Sequence, residues 1–363
     1  MKMNNEKLLE IASLFAFEGD VVSVTPLGEG FINDTYIVQT AGDAPNYILQ
    51  RKNHYVFPNV PAMMKNIVAV SSHIKSKVAD PMRQALTVIP THDGKLCAEV
   101  DANFWAACLF ISGSKCYDRA NTATLARQGG VGIGRFQSLL ADYTEPLYET
   151  IKGFHNIRHR FEQWDATVAA DSAGRVAELA EEIGWITSRR EQMLAFWSLV
   201  EDGTIPTRVT HNDTKISNIL FDEATDDVLC VIDLDTVMSS TALNDFGDAI
   251  RSYTNTGAED DKDLSKVGMS LEMFRAYTEG YLSERKATMT DSEKEWLAFS
   301  ALYITYEQVL RFLMDYIDGD KYYRTHYPGH NLVRTHAQYK LLQSMEEQYD
   351  KMRAIVAELI KTT

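Results

Sequence analysis

Arg208-Val-Thr-His211-Asn-Asp213-Thr-Lys215-Ile-Ser-Asn218-Ile-Leu-Phe221 is the stretch from which the rest of this 363-residue chain is read. A carboxylate follows the histidine by two positions, a lysine follows by two more, and an asparagine stands five after the carboxylate. Residues 222–227 read as a turn, and Val228-Leu-Cys-Val-Ile-Asp233-Leu-Asp235 as a second apolar strand that ends in carboxylates. Paired as a hairpin, 219–221 and 228–232 would bring Asn218 and Asp233 to one point, with Asp213 on the loop beside them. An amide oxygen and a carboxylate are hard donors, suited to magnesium that carries substrate phosphates.

Phosphoryl transfer needs what this segment offers. Oxygen ligands hold a metal against the nucleotide phosphates, a carboxylate accepts the proton of the attacking hydroxyl, and a cation such as Lys215 stabilises the transferred group. In protein kinases the base aspartate also precedes a metal-binding asparagine by five positions. Asp245-Phe246-Gly247 mimics the kinase D-F-G element but precedes a helical pattern instead of ending a strand. Asp233 is therefore the better metal ligand. Asp245 is expected to brace the loop through its backbone or through His211.

Upstream, Leu8, Leu9, Ile11, Ala12, Leu14 and Phe15 share one helical face, with Gly19 closing that helix, and 21–27, 35–39 and 47–51 read as strands. Gly28-Glu29-Gly30-Phe31-Ile32-Asn33 joins the first two strands and is placed to cover nucleotide phosphates. In the third strand, where kinases supply a lysine, Gln50 shares the face of Ile48 and Arg51 takes the opposite one. A helix begins at Pro61, and further strands follow at 86–89 and 96–111, the latter broken near 101–103. Ser112-Gly113-Ser114 reads as a hinge between an N-terminal lobe, 1–112, and a C-terminal lobe, 113–363. Phe110 and Ile111, just before it, join Gly28, Gly30, Asn33 and Gln50 as the nucleotide-binding set. Long helical patterns then dominate at 122–141, 173–200, 271–282, 292–317 and 335–359. Gly129-Gly130-Val131-Gly132-Ile133-Gly134 lies inside one of them without a preceding strand, so it signals close helix packing and no dinucleotide fingerprint.

Composition excludes several classes. The chain has 36 basic and 51 acidic residues, a net charge of -15, and would repel a nucleic-acid backbone over most of its surface. Its four cysteines make no C-x-x-C pair, so neither a zinc site nor a disulfide framework is expected. The apolar run 104–111 falls far short of the ~20 residues that span a bilayer. The N-terminus lacks a signal-peptide core, and a cytoplasmic protein with no membrane partner is expected.

These residues resemble the aminoglycoside phosphotransferase and choline kinase superfamily, small-molecule relatives of the protein kinases, over nearly the whole chain. Segments 208–235, 245–251, 263–280 and 311–334 most resemble its bacterial N-acetylhexosamine 1-kinase branch. The resemblance implies an α+β, two-lobed protein-kinase-like fold with a small N-terminal sheet lobe and a large, mainly helical C-terminal lobe. It implies ATP and Mg²⁺ as cofactors, Asp213 as base with Lys215 beside it, and Asn218 plus Asp233 as metal ligands. For a sugar acceptor it implies Arg311 and Tyr322 from the second lobe, with Phe31 from the first. An alternative for Arg311, on a strongly apolar helix, is a salt bridge to Glu307 or Asp315, each four positions away. Phe31 stands where those kinases carry histidine and Ser252 where they carry an aromatic residue, so the sugar preference should differ. The expected reaction phosphorylates the anomeric hydroxyl of a hexose or N-acetylhexosamine. The rivals are a homoserine, choline or aminoglycoside kinase, and a nucleotide-binding pseudokinase that regulates a partner.

Overall fold

A short helix, α1 (Asn5–Ala12), opens the chain; the Asn4 side chain caps it, and Leu8, Ile11 and Ala12 are buried. Strands β1 (Val21–Pro26), β2 (Asp34–Thr40) and β3 (Tyr47–Lys52) follow as an antiparallel meander. After α2 (Val60–Lys75) and α3 (Pro81–Gln84) come β4 (Val88–Ile89), β5 (Ala98–Val100) and β6 (Asn103–Leu109). Together they make a six-stranded sheet in the order β1-β2-β3-β6-β4, with β5 paired to β6. The β5–β6 turn is tight because Asp101 and Ala102 both take left-handed backbone, at φ 49° and 56°. Strand β7 (Ser114–Lys115) closes this stretch.

Three helices follow: α4 (Ala123–Leu139), α5 (Ile157–Ala170) and α6 (Ala180–Glu201). Four short strands come next, β8 (Thr207–Thr210), β9 (Ile219–Asp222), β10 (Val228–Val231) and β11 (Met238–Thr241). The chain ends in α7 (Ala242–Tyr253), α8 (Leu271–Arg285), α9 (Asp291–Ile317), α10 (His330–Glu347) and α11 (Tyr349–Thr362). This computed structural model describes residues 4–28 and 32–362.

The chain divides into two units. The first comprises Met1–Lys115, Asp142–Lys152 and Leu220–Met238; the second comprises Cys116–Ala141, Gly153–Ile219 and Ser239–Thr363. In the first unit, alternate residues of the large sheet (Val38, Tyr47, Leu49, Trp105, Ala107) pack with Leu8, Ile11 and Phe15 into one core. The opposite face of β3 carries Ile48, Gln50 and Lys52, which register against Cys108, Ala106 and Phe104 of β6. Strands β9 and β10 pair as the expected hairpin, and β7 adds to the outer side of β9.

The second unit is mainly helical. Its longest helix, α9, starts in a capping box between Thr290 and Glu293 and is buried along most of its length. The glycines of α4 admit α8 at close range: a Cβ on Gly130 would sit 2.1 Å from the Tyr277 carbonyl oxygen, and one on Gly280 1.9 Å from that of Arg127. The glycine run is thus a helix-packing face.

Three expectations are corrected. Helix α1 stops at Ala12 because Phe15 bridges to Thr91 and the Ala16 N–H reaches the Pro90 carbonyl at 2.9 Å. Gly19, at φ 81°, therefore serves the turn into β1 and closes no helix. The single helix expected over 335–359 is two, broken at Gln348, whose side chain donates to the Met269 carbonyl at 2.9 Å. Helix α5 lies where no helix was expected. Among the described residues no helix is long and apolar enough to cross a membrane.

Candidate active site

The loop from β8 to β9 carries Asp213 in the second unit. Its side chain is 31% exposed, and its Oδ2 accepts from Lys215 Nζ at 2.9 Å and from Asn218 Nδ2 at 2.9 Å. Burial opposes ionisation there, but the Lys215 charge and these hydrogen bonds hold the carboxyl below the usual aspartate range. An ionised, partly open carboxylate that keeps unused lone pairs is ready to accept a hydroxyl proton. Asn218 Nδ2 also donates to the Asp213 carbonyl at 2.8 Å. With its amide nitrogen committed, Asn218 keeps Oδ1 as a hard oxygen donor.

The backbone of this loop is pinned from beneath. Asp245, fully buried near the start of α7, accepts from the N–H groups of His211 at 3.0 Å and Asn212 at 2.7 Å and from Gln137 Nε2 at 2.9 Å. Burial pushes its carboxyl above the usual range, although nearby His211 and the three donors pull the other way. One turn on, Asp248 accepts the Thr214 N–H at 2.8 Å and holds Arg251 at 3.0 Å. Asn212 needs this support, since it adopts left-handed backbone at φ 66°. His211 is also fully buried, and its Nδ1 accepts the Asp213 N–H at 3.2 Å.

The first unit holds the remaining polar cluster. Lys52 ends β3, and its Nζ lies 2.7 and 2.9 Å from the two carboxylate oxygens of Asp235 and 2.7 Å from Gln50 Oε1. Both charged side chains are only 4% exposed. Asn33 Nδ2 adds a third donor to Asp235, at 2.8 Å, while Asn33 Oδ1 accepts the Asn53 N–H at 3.0 Å. Gln50 Nε2 donates to Thr35 Oγ1 at 3.2 Å. Asn33 and Gln50, expected to meet nucleotide, thus have their amides engaged inside the unit. Arg51, on the other strand face, pairs with Asp34.

Asp233 stands two residues before Asp235, at the start of a 3₁₀ turn and in left-handed backbone at φ 59°. A carboxylate is donor chemistry that magnesium takes. Gly28, at φ 69°, adopts a conformation that favours glycine. The Phe110 N–H donates to the Asn46 carbonyl at 3.0 Å, and Ile111 is buried. Gly30 and Phe31 lie outside the described residues.

Helix α2 carries no carboxylate. Its buried Asn66 donates to the carbonyls of Tyr148 at 2.8 Å and Val237 at 3.0 Å and accepts the Tyr148 N–H at 2.9 Å. In protein kinases the third-strand lysine takes its partner from the corresponding helix. Here the charged partner of Lys52 is Asp235. Reading β3 to end at Arg51 overlooked Lys52, although it shares the strand face of Ile48 and Gln50.

Arg311 makes neither of the salt bridges considered for it. Glu307 is taken by His155 at 2.6 Å and Arg160 at 3.2 Å. Asp315 accepts the N–H groups of Lys321, Tyr322 and Tyr323 and the Asn331 amide. Arg311 instead lies 5.2 Å from the Phe154 ring centre and 5.7 Å from that of Tyr323, with a 3.5 Å contact to Gln308. Among the described residues no carboxylate is within salt-bridge distance of it. Tyr322 is 57% exposed, its ring edge-on to Tyr323.

A family model described as the phosphotransferase enzyme family, APH, matches residues 23–279. The chain belongs to that family. It is therefore an enzyme, a small-molecule kinase. An aminoglycoside phosphotransferase from Alicyclobacillus acidocaldarius shares its fold with a TM-score of 0.57 at 11% identity, over 100% of this chain and 97% of the other. Spectinomycin phosphotransferase, solved with ADP and spectinomycin, gives 0.55 at 13% identity over 100% of both chains. Choline kinase from Cryptosporidium parvum gives 0.56 at 13% identity over 98% of this chain and 99% of its own. The fold of this phosphotransferase is thus α+β and protein-kinase-like.

Proposed function

We propose that this phosphotransferase moves the γ-phosphoryl group of ATP to the anomeric hydroxyl of a hexose or N-acetylhexosamine. The observation that carries the reading is the Asp213 carboxylate, ionised, partly open, and fixed by Lys215 and Asn218 on a loop that Asp245 pins. The acceptor hydroxyl donates to Asp213. As its oxygen bonds to the γ-phosphorus, the bridging P–O bond breaks, ADP leaves with that electron pair, and the hydroxyl proton passes to the Asp213 carboxylate. Asn218 Oδ1 and the Asp233 carboxylate would hold Mg²⁺, which neutralises phosphate charge when bound. Lys52 is the third-strand cation for the nucleotide. Its three N–H groups are shared between Asp235 and Gln50, so a phosphate would draw one of them away.

Arg311 favours a neutral polyol over a cationic acceptor. With no carboxylate within salt-bridge distance among the described residues, its guanidinium repels choline or a protonated aminoglycoside, but it donates well to sugar hydroxyls and an acetamido oxygen. Aromatic neighbours and the exposed Tyr322 suit a ring held by one face and one edge. The test is ADP release with magnesium and a panel of sugars, homoserine, choline and aminoglycosides. Turnover with sugars alone is expected, and Asp213→Asn should lower kcat by about 10²–10⁴-fold while nucleotide still binds. Turnover with choline or homoserine and no sugar would overturn the acceptor. An Asp213→Asn protein as fast as its parent would overturn the base.

A further inference from the structure

The peptide unit that leads into Asp213 is fixed at both ends by histidines. Its N–H goes to His211, as described above. Its carbonyl, that of Asn212, faces His155 Nε2 at 3.2 Å. His155 comes from the segment before α5, is 5% exposed, and turns its Nδ1 to Glu307 Oε2 at 2.6 Å. Glu307 sits on α9 with 1% of its side chain exposed, and its other oxygen takes Arg160 Nε at 3.2 Å. Burial opposes ionisation of Glu307, yet the charges of His155, Arg160 and Arg311 bring its carboxyl down to about 2.

Hydrogen-bond bookkeeping then settles the protonation of the ring. An ionised carboxylate only accepts, and so does a peptide carbonyl. Both imidazole nitrogens face acceptors, and each must carry a proton. We infer that His155 is a positioning residue: a buried imidazolium, anchored by Glu307, that holds the Asn212 carbonyl and so sets the direction in which Asp213 projects. A neutral ring would turn one lone pair on an oxygen and free the peptide beside the strained Asn212. The other groups around the ring are consistent with a cation held by one carboxylate. Tyr303 of α9 donates to the His155 carbonyl at 2.8 Å, the Phe154 ring lies 4.3 Å away, and Arg160 of α5 and Arg311 of α9 act on the shared Glu307.

This inference rests on Asp213 as the base, and its test separates the two. Nuclear magnetic resonance of nitrogen-labelled histidine in the parent enzyme should show both ring nitrogens of His155 carrying a proton at about pH 7, as their two acceptor partners require. The His155→Gln protein assigns the signal. Singly protonated His155 at about pH 7 overturns the inference, whatever Asp213 does. In kinetics, His155→Gln should lower kcat about tenfold or more with both KM values within about twofold. Glu307→Gln, which removes the anchor, should lower kcat with both KM values nearly unchanged, as His155→Gln does. An unchanged kcat in folded Glu307→Gln overturns the inference while leaving the base role of Asp213 intact. If that variant does not fold, the resonance measurement on the parent decides alone.

Discussion

Lys52 and Asp235 allow a sharp test of how the first unit is held together. Their charges lie 2.7–2.9 Å apart at 4% exposure. At an effective dielectric near 20, that separation gives about 6 kcal/mol of attraction. Removing two ions from water costs several kcal/mol each, so the pair as a whole contributes little net stability. Either charge alone is different. Lys52→Met strands the carboxylate with Asn33 as its remaining donor described here, and Asp235→Leu strands the ammonium against Gln50. Each single change should cost about 3–5 kcal/mol, while the double change should return close to the parent. At about 2–4 °C per kcal/mol for a domain of 150–250 residues, each single variant should lose roughly 6–20 °C of Tm by calorimetry. The double variant should regain that stability but not the parent's KM for ATP, because Lys52 is also proposed to meet phosphate. A double variant as unstable as the two singles summed, or singles within about 1 °C of the parent, would refute this account.

Other expectations follow from packing and charge. Gly130→Ala should destabilise by about 1–3 kcal/mol, since its Cβ would meet backbone oxygen across the α4–α8 contact. Gly184→Ala, in α6 with nothing within 4 Å of the added carbon, should stabilise by about 1 kcal/mol, and chemical denaturation reads both signs. Glu307 titrates near 2 when folded against 4.5 ordinarily, so its contribution is present above about pH 4.5 and is lost as pH falls through 2. That contribution reaches about 3 kcal/mol, and the urea midpoint of Glu307→Gln should accordingly fall less steeply with acid than the parent's. Arg311→Ala should raise the acceptor KM about tenfold and leave that for ATP unchanged; an equal rise in both would remove Arg311 from the acceptor.

What could be read in the sequence was local. Residues 208–235 carry their spacing within one hairpin and its preceding loop, so the positions of Asp213, Asn218 and Asp233 stand out without any partner. Lys52 did not, because a lysine at a strand end is ordinarily solvated, and the carboxylate that permits its burial lies 183 positions away. Helix α5 was missed because Arg160 interrupts the apolar stripe of Ile157, Phe161 and Trp164, and the Glu307 that pairs with this buried arginine lies far along the chain on α9. The break at Gln348 carries no glycine or proline and follows from a side-chain bond to a distant carbonyl. His155 was invisible for the same reason, since both its partners lie far along the chain.

The Asn66 tie on α2 bears on control. A signalling kinase is throttled by swinging its helix so that the lysine loses its partner. In this enzyme the partner sits on the strand-end turn, and the helix is lashed to the backbone at residues 148 and 237 by both ends of one amide. Because Val237 lies two residues past Asp235, the helix and the lysine's partner are tied to the same turn.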